Sequence, residues 1–178
     1  MSSETAAADR VRSLIRDVAD FPKPGIVFKD ITTVLRDPEA FRFVVDRITS
    51  EFRDRRIKSV VCVEARGFVL GSAVAYAMGA GLVPVRKKGK LPCATHRVSY
   101  ELEYGTDFLE IHRDALKPGE EVLIVDDLLA TGGTVRAVLQ LLGKLSVRVA
   151  AAAFFVELEF LKGRVALKPL SIFSVVSF

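Results

Sequence analysis

Val122-Leu123-Ile124-Val125-Asp126-Asp127-Leu128-Leu129-Ala130-Thr131-Gly132-Gly133-Thr134 is the stretch on which the reading of this chain turns. The apolar run Val122–Val125 suits a strand buried on both faces, as in a parallel sheet. It leads into two adjacent acids, which sit badly in a core unless they have partners. Vicinal hydroxyls or a metal-bound ligand would serve. Thr131 to Thr134 then precede a helical pattern, so several backbone N–H groups can converge beside a helix N-terminus, where phosphate is favoured. Gly132 and Gly133 allow close backbone approach, and the hydroxyls of Thr131 and Thr134 add donors. An acid pair beside a phosphate cradle describes a site for a ribose 5-phosphate. A strand-turn-helix without a ligand is the bland alternative. A phosphorylated receiver aspartate would lack the glycine-threonine cradle, and a Walker loop would need a lysine after Gly133.

Working outward, Ser59–Val63 is another β-branched run, and a helix over 68–79 followed by a strand over 82–86 completes a β-α-β unit. Phe108–His112 alternates like a half-exposed strand, and Pro118-Gly119 turns the chain into Val122. Val135, Val138, Leu139 and Leu142 mark the core stripe of the next helix, and strands are expected over 147–156 and 171–177. Upstream, Val11, Leu14, Ile15 and Val18 follow helical spacing, which predicts an amphipathic helix ending before Phe21-Pro22-Lys23-Pro24-Gly25. Asp37-Pro38 reads as an N-cap with proline at the first helical position, and Phe41, Val44, Val45, Ile48 and Phe52 form that helix's apolar stripe. Strands alternating with helices mean an α/β fold with a largely parallel central sheet.

At 178 residues the chain fits one domain, 1–178, and 50% hydrophobic content excludes a disordered or low-complexity chain. Cys62 and Cys93 form no C-x-x-C pair, and His96 and His112 leave little for a zinc site. Free thiols in the cytoplasm are the expectation. The N-terminus lacks the apolar core of a secretory signal. The uncharged stretch 68–85 approaches membrane-span length, but Gly79, Gly81 and Pro84 interrupt it, so no membrane association is expected. The net charge is +4, and Arg86, Lys87, Lys88, Lys90 and Arg97 cluster with no acid between residues 86 and 100. Such a cluster seeks phosphate, on nucleic acid or on a small polyanion. With no helix-turn-helix or added module visible, a nucleic-acid partner is not expected.

The segment 122–134 closely resembles the signature with which type I phosphoribosyltransferases bind 5-phosphoribosyl 1-pyrophosphate (PRPP). FPKPGIVFKDITTVLRD (21–37), EARG (64–67), VRKKGKLP (85–92) and SYELEYG (99–105) resemble, in order, segments of the members that use adenine. The resemblance implies the type I phosphoribosyltransferase fold: a mostly parallel central sheet flanked by helices, a small N-terminal hood within residues 1–36, and a mobile catalytic loop. It implies transfer of ribose 5-phosphate from PRPP to N9 of adenine, giving AMP and pyrophosphate in purine salvage.

Residue roles follow from the same resemblance. Asp126 and Asp127 would meet the ribose hydroxyls, and Ala130, Thr131, Gly132, Gly133 and Thr134 the 5-phosphate. Arg66, Arg86, Lys87 and Lys90 match the pyrophosphate side, with Arg66 also counted as catalytic. Glu103 matches the catalytic glutamate of the loop 99–105, and Tyr100 and Tyr104 could close over the substrates. Val27, Phe28 and Lys29 match the adenine-recognition segment. Mg²⁺ would be carried by PRPP and water rather than by protein ligands. A cis peptide at Glu64–Ala65 and a homodimer are also implied. Thr95-His96-Arg97 receives no role.

Overall fold

The computed structural model describes residues 3–102 and 105–178. In chain order the elements are α1 (Ser3–Leu14), β1 (Arg16–Ala19), β2 (Val27–Asp30), α2 (Thr32–Leu35), α3 (Pro38–Glu51), β3 (Ser59–Val63), α4 (Arg66–Met78) and β4 (Gly81–Lys87). They continue with β5 (Thr95–Leu102), β6 (Gly105–His112), β7 (Glu121–Leu129), α5 (Gly133–Lys144), β8 (Arg148–Glu157), a 3₁₀ turn (Glu159–Leu161), α6 (Gly163–Ala166) and β9 (Ile172–Ser177).

The main sheet has seven strands in the order β5-β6-β4-β3-β7-β8-β9. From β4 to β9 every neighbouring pair is parallel, while β6 joins β4 and β5 in antiparallel fashion. Alternation along β7 shows how both faces are used. Leu123 and Val125 join the core shared with Val44 and Ile48 of α3 and Leu70 and Val74 of α4. Val122 and Ile124 join Val138, Leu141 and Leu142 of α5 on the other side. Successive strand side chains point to opposite faces, so a strand between two helical layers must be apolar throughout.

Local chemistry accounts for several boundaries. Asp37 caps α3, its carboxylate accepting from the Glu39 and Ala40 N–H groups at 3.1 and 2.9 Å, and Pro38 fills the first helical turn, where no N–H is needed. The uncharged stretch 68–85 divides into α4, a left-handed Gly79 and β4. Among the described residues, no helix is long and apolar enough to cross a membrane.

Two expectations are corrected. Val18 is not on the first helix: α1 stops at Leu14, and Val18 lies in β1 opposite Phe28 of β2. This antiparallel ribbon is the hood, and its pairing overrides a helical spacing that fits by coincidence. The segment 99–105 is not mainly loop. Ser99–Leu102 belongs to β5 and Gly105 to β6, and the two strands form a hairpin in which Arg97 lies opposite Glu110. Cross-strand pairing there supplies what the polar sequence of β5 does not announce.

Asp30 ties the hood to α2. Its carboxylate accepts from the Thr32 hydroxyl at 2.7 Å, from the Thr32 N–H at 2.9 Å and from Arg16 Nε at 3.1 Å. The Thr32 bonds first, then Arg16, hold its carboxyl down to about 2. Because the folded value lies below the unfolded one, the stabilisation is present above about pH 4 and fades as pH falls through about 2. Asp30→Asn should therefore unfold at lower urea than the wild type at pH 7. The gap should close on approach to pH 2, and a gap independent of pH would disprove this account.

Candidate active site

The site lies beyond the carboxyl end of the parallel strands, where open α/β sheets bind ligands. β3 pairs with β7 only as far as Cys62 opposite Val125, whereas β7 runs on beside β8 to Leu129. Asp126 and Asp127 therefore belong to the strand rather than to a loop after Val125, because β8 continues to pair alongside, with Asp126 opposite Phe154 and Leu128 opposite Val156. They occupy the step where β3 has ended and α4 begins. Both are buried.

Asp127 holds Arg66 Nε at 2.8 Å. Burial, then the neighbouring Asp127 charge, push Asp126 well above the ordinary carboxylate range. Asp126 accepts the Asp127 N–H at 2.9 Å and packs on Gly67. A Cβ at Gly67 would lie 2.5 Å from Asp126 Oδ1, so only glycine fits there.

Past Leu129 the chain turns through Ala130 and Thr131 to Gly132, whose φ of +84° favours glycine. α5 starts at Gly133. No acceptor among the described residues takes the N–H groups of Thr131, Gly132, Gly133 or Thr134. They lie at the positive end of a 12-residue helix, the setting that suits a phosphate. A cavity of about 290 Å³ is lined by Asp126, Ala130, Thr131, Gly132, Gly133 and Thr134, with Tyr100 and Leu161 at its walls. A second cavity of about 270 Å³ shares Tyr100, Asp126, Ala130 and Thr134 with it and adds Glu64, Ala65, Arg66, Gly67 and Asp127. The Glu64–Ala65 peptide on its wall is cis, as the resemblance implied.

Glu64 gathers the basic loop. It accepts from Arg86 Nε at 2.8 Å and the Lys87 N–H at 2.9 Å, and Lys90 Nζ lies at 3.4 Å. Burial works to raise its carboxyl, but these hydrogen bonds and charges outweigh it and hold Glu64 below its ordinary value. Glu110 supports the same loop from the far side, accepting the Gly89 N–H at 2.9 Å and Arg97 Nε at 2.6 Å. Lys87 Nζ reaches Asp107 on β6 at 2.9 Å, and Asp107 also accepts from the Tyr100 hydroxyl at 3.4 Å.

The hood contributes Phe28, whose ring stacks beneath the Arg66 guanidinium at 4.9 Å and meets Phe21 edge-on at 5.1 Å. Val27 is half exposed beside it. The Lys29 side chain turns away, to Asp17 at 2.7 Å and over the Phe178 ring at 3.9 Å. Only its backbone remains for a ligand.

Of the residues singled out in the sequence, the fold brings Arg66, Tyr100, Asp126, Asp127 and Ala130–Thr134 around the two joined cavities, with Phe28 against Arg66. Arg86, Lys87 and Lys90 stand one layer back, around Glu64. Glu103 and Tyr104 lie outside the described residues. Sequence reasoning missed the holding roles of Glu64 and Glu110. Glu64 stood in the quoted EARG segment, while only strand register exposes Glu110.

The phosphoribosyl transferase domain pattern matches residues 32–172. This chain belongs to the phosphoribosyl transferase family. It is 52% identical over 168 residues to the adenine phosphoribosyltransferase of Synechococcus sp., covering 94% of this chain and 98% of that one. The crystal structure of adenine phosphoribosyltransferase from Thermoanaerobacter pseudethanolicus superposes with a TM-score of 0.93 at 47% identity, covering 96% and 99% of the two chains. The Saccharomyces cerevisiae enzyme, solved with an imino-altritol bisphosphate and adenine, gives 0.91 at 36% identity over 97% and 99%. Within the family the chain belongs with the adenine phosphoribosyltransferases.

Proposed function

We propose that the protein makes AMP and pyrophosphate from adenine and PRPP, in purine salvage, with the residues above in the following roles. The observation that carries this is the continuous cleft in which the acid pair on β7 opens into the Thr131–Thr134 cradle, with Arg66 on its wall and Phe28 stacked against Arg66. Ala130–Thr134 hold the 5-phosphate, and Asp126 and Asp127 take the ribose hydroxyls. Phe28 packs on the base while the backbone of Val27–Lys29 reads its edge. Tyr100 and Tyr104 close over the bound pair.

In the reaction the bond from the anomeric carbon to the pyrophosphate oxygen breaks, and the bond from N9 forms. The pyrophosphate leaves with its negative charge, while the N9 proton passes to the Glu103 carboxylate. Positive charge grows on the ribose as negative charge grows on the leaving group, so fixed cations are the main catalytic resource. Arg66 lies on the cleft wall, and Glu64 keeps Arg86, Lys87 and Lys90 together, which limits the reorganisation needed when pyrophosphate departs.

The oxygen-only chemistry of Asp126 and Asp127 beside a phosphate cradle fits Mg²⁺ delivered on PRPP, which PRPP and water would carry without a protein ligand. When bound, the cation would offset the pyrophosphate charge.

A homodimer fits the exposed apolar face of α4, where Val69 and Tyr76, seven residues apart, are 48% and 90% exposed, with Leu82 of β4 at 43%. Sedimentation as a fully active monomer at micromolar concentration would refute it. A cytoplasmic location suits the free thiols of Cys62 and Cys93.

The deciding assay is AMP formation from adenine and PRPP with Mg²⁺, run against guanine, hypoxanthine and xanthine. Adenine should be strongly preferred. No AMP, or faster turnover of another purine, would overturn the reading.

A further inference from the structure

We infer that Arg164 is a positioning residue for the phosphate cradle, acting through α6, the short turn that carries it. The inference rests on reading Ala130–Thr134 as the 5-phosphate site.

Three contacts support it. First, α6 is wedged under the cradle on both sides of Thr131. A Cβ at Gly163 would collide with the Ala130 carbonyl oxygen, and a Cβ at Gly132 would lie 3.0 Å from Leu167 Cγ. Any shift of α6 therefore moves the backbone that presents the N–H groups. Second, α6 is only four residues long and cannot hold its own place by helix propensity. Third, Arg164 fastens it to the sheet. Its Nε donates to Glu157 Oε1 at 3.0 Å, a second guanidinium nitrogen donates to Glu157 Oε2, and its third donates to the Ile172 carbonyl at 2.6 Å. Glu157 is the last residue of β8, opposite Leu129 on β7, and is 3% exposed. Ser174 Oγ of β9 donates to it at 2.6 Å. The fork thus ties the turn beneath the cradle to two strands of the sheet that carries the acid pair.

A simpler role is available: Arg164 could serve only to neutralise the buried Glu157. Breaking a buried pair from one side is destabilising because the remaining charge is uncompensated. The two roles separate in a double variant. Arg164→Met should raise the KM for PRPP about tenfold to a hundredfold, since displacements near 1 Å can have effects of that order. The KM for adenine and kcat should stay within about threefold. Arg164→Lys keeps the charge but not the planar fork, so its PRPP KM should fall in between.

Adding Glu157→Gln to Arg164→Met removes the stranded charge. It should restore the melting temperature but leave the PRPP KM high. PRPP binding by titration calorimetry should follow the KM. The inference is overturned if Arg164→Met has a near-normal PRPP KM. It is equally overturned if adenine and PRPP KM rise together, or if the double variant recovers PRPP binding along with stability. Wild-type protein that makes no AMP would instead refute the functional reading, so the two failures are distinct.

Discussion

Glu103→Gln should lower the rate of AMP formation by ~10²–10⁴-fold, the usual contribution of a general acid or base. Glutamine keeps the shape and one acceptor oxygen but cannot take the N9 proton. Glu103 follows β5 in the sequence, and three residues before it Tyr100 lines both cavities. Glu103 itself lies outside the described residues, and its role rests on the family resemblance. PRPP affinity should be nearly unchanged, because the acid pair and the cradle belong to β7 and α5. Single-turnover AMP formation is the measurement to make, since slow product release could mask a chemical defect. A normal single-turnover rate would leave Glu103 a carboxylate without a chemical role.

Asp127→Asn should do the reverse, weakening PRPP binding as well as turnover. The carboxylate is buried and sits 2.8 Å from Arg66 Nε. Hydrogen bonds to a charged group contribute about 1.5–3 kcal/mol, so neutralising it should weaken PRPP binding roughly 10- to 150-fold. The change also releases Arg66 from its anchor, and turnover falls because that guanidinium no longer waits in place for the leaving group. Calorimetric titration with PRPP and the steady-state rate should move together. Unchanged PRPP affinity would remove Asp127 from the ribose site.

The contrast between these two residues reflects what a sequence displays. Asp127 stands in a run whose pattern, buried strand then acids then glycine and threonine, has a chemical meaning at each position. Glu103 has none by itself and is distinguished only by its neighbours' likeness to a family. The parallel core could be read because β3 and β7 are apolar on both faces, a property of local composition. The hood could not, since Val18 opposite Phe28 is a pairing between distant residues, and the helical spacing of Val11 to Val18 competes with it. β5 escaped for the same reason: Arg97 counts in the sequence as part of the phosphate-seeking basic cluster, whereas register sets it against the buried Glu110. Lys29 matched the adenine-recognition segment, yet alternation along β2 sends its ammonium to Asp17. Gly163 and Arg164 gave no signal, because their meaning lies in what they touch.

Tyr100 also gives the protein a built-in optical reporter. The chain has no tryptophan and only three tyrosines, so tyrosine emission is not drained by energy transfer to an indole. Tyr76, almost fully exposed, contributes a steady background. Tyr100 lines both cavities, and burial, reinforced by Asp107, raises its phenol above the ordinary value, so it stays protonated and emissive through the neutral range. Filling the cleft with an anion and a base changes the water and the quenchers around that ring, and around Tyr104 as the two close over the bound pair. Substrate arrival should thus be visible in the native protein by its own ultraviolet fluorescence, without a label and without turnover.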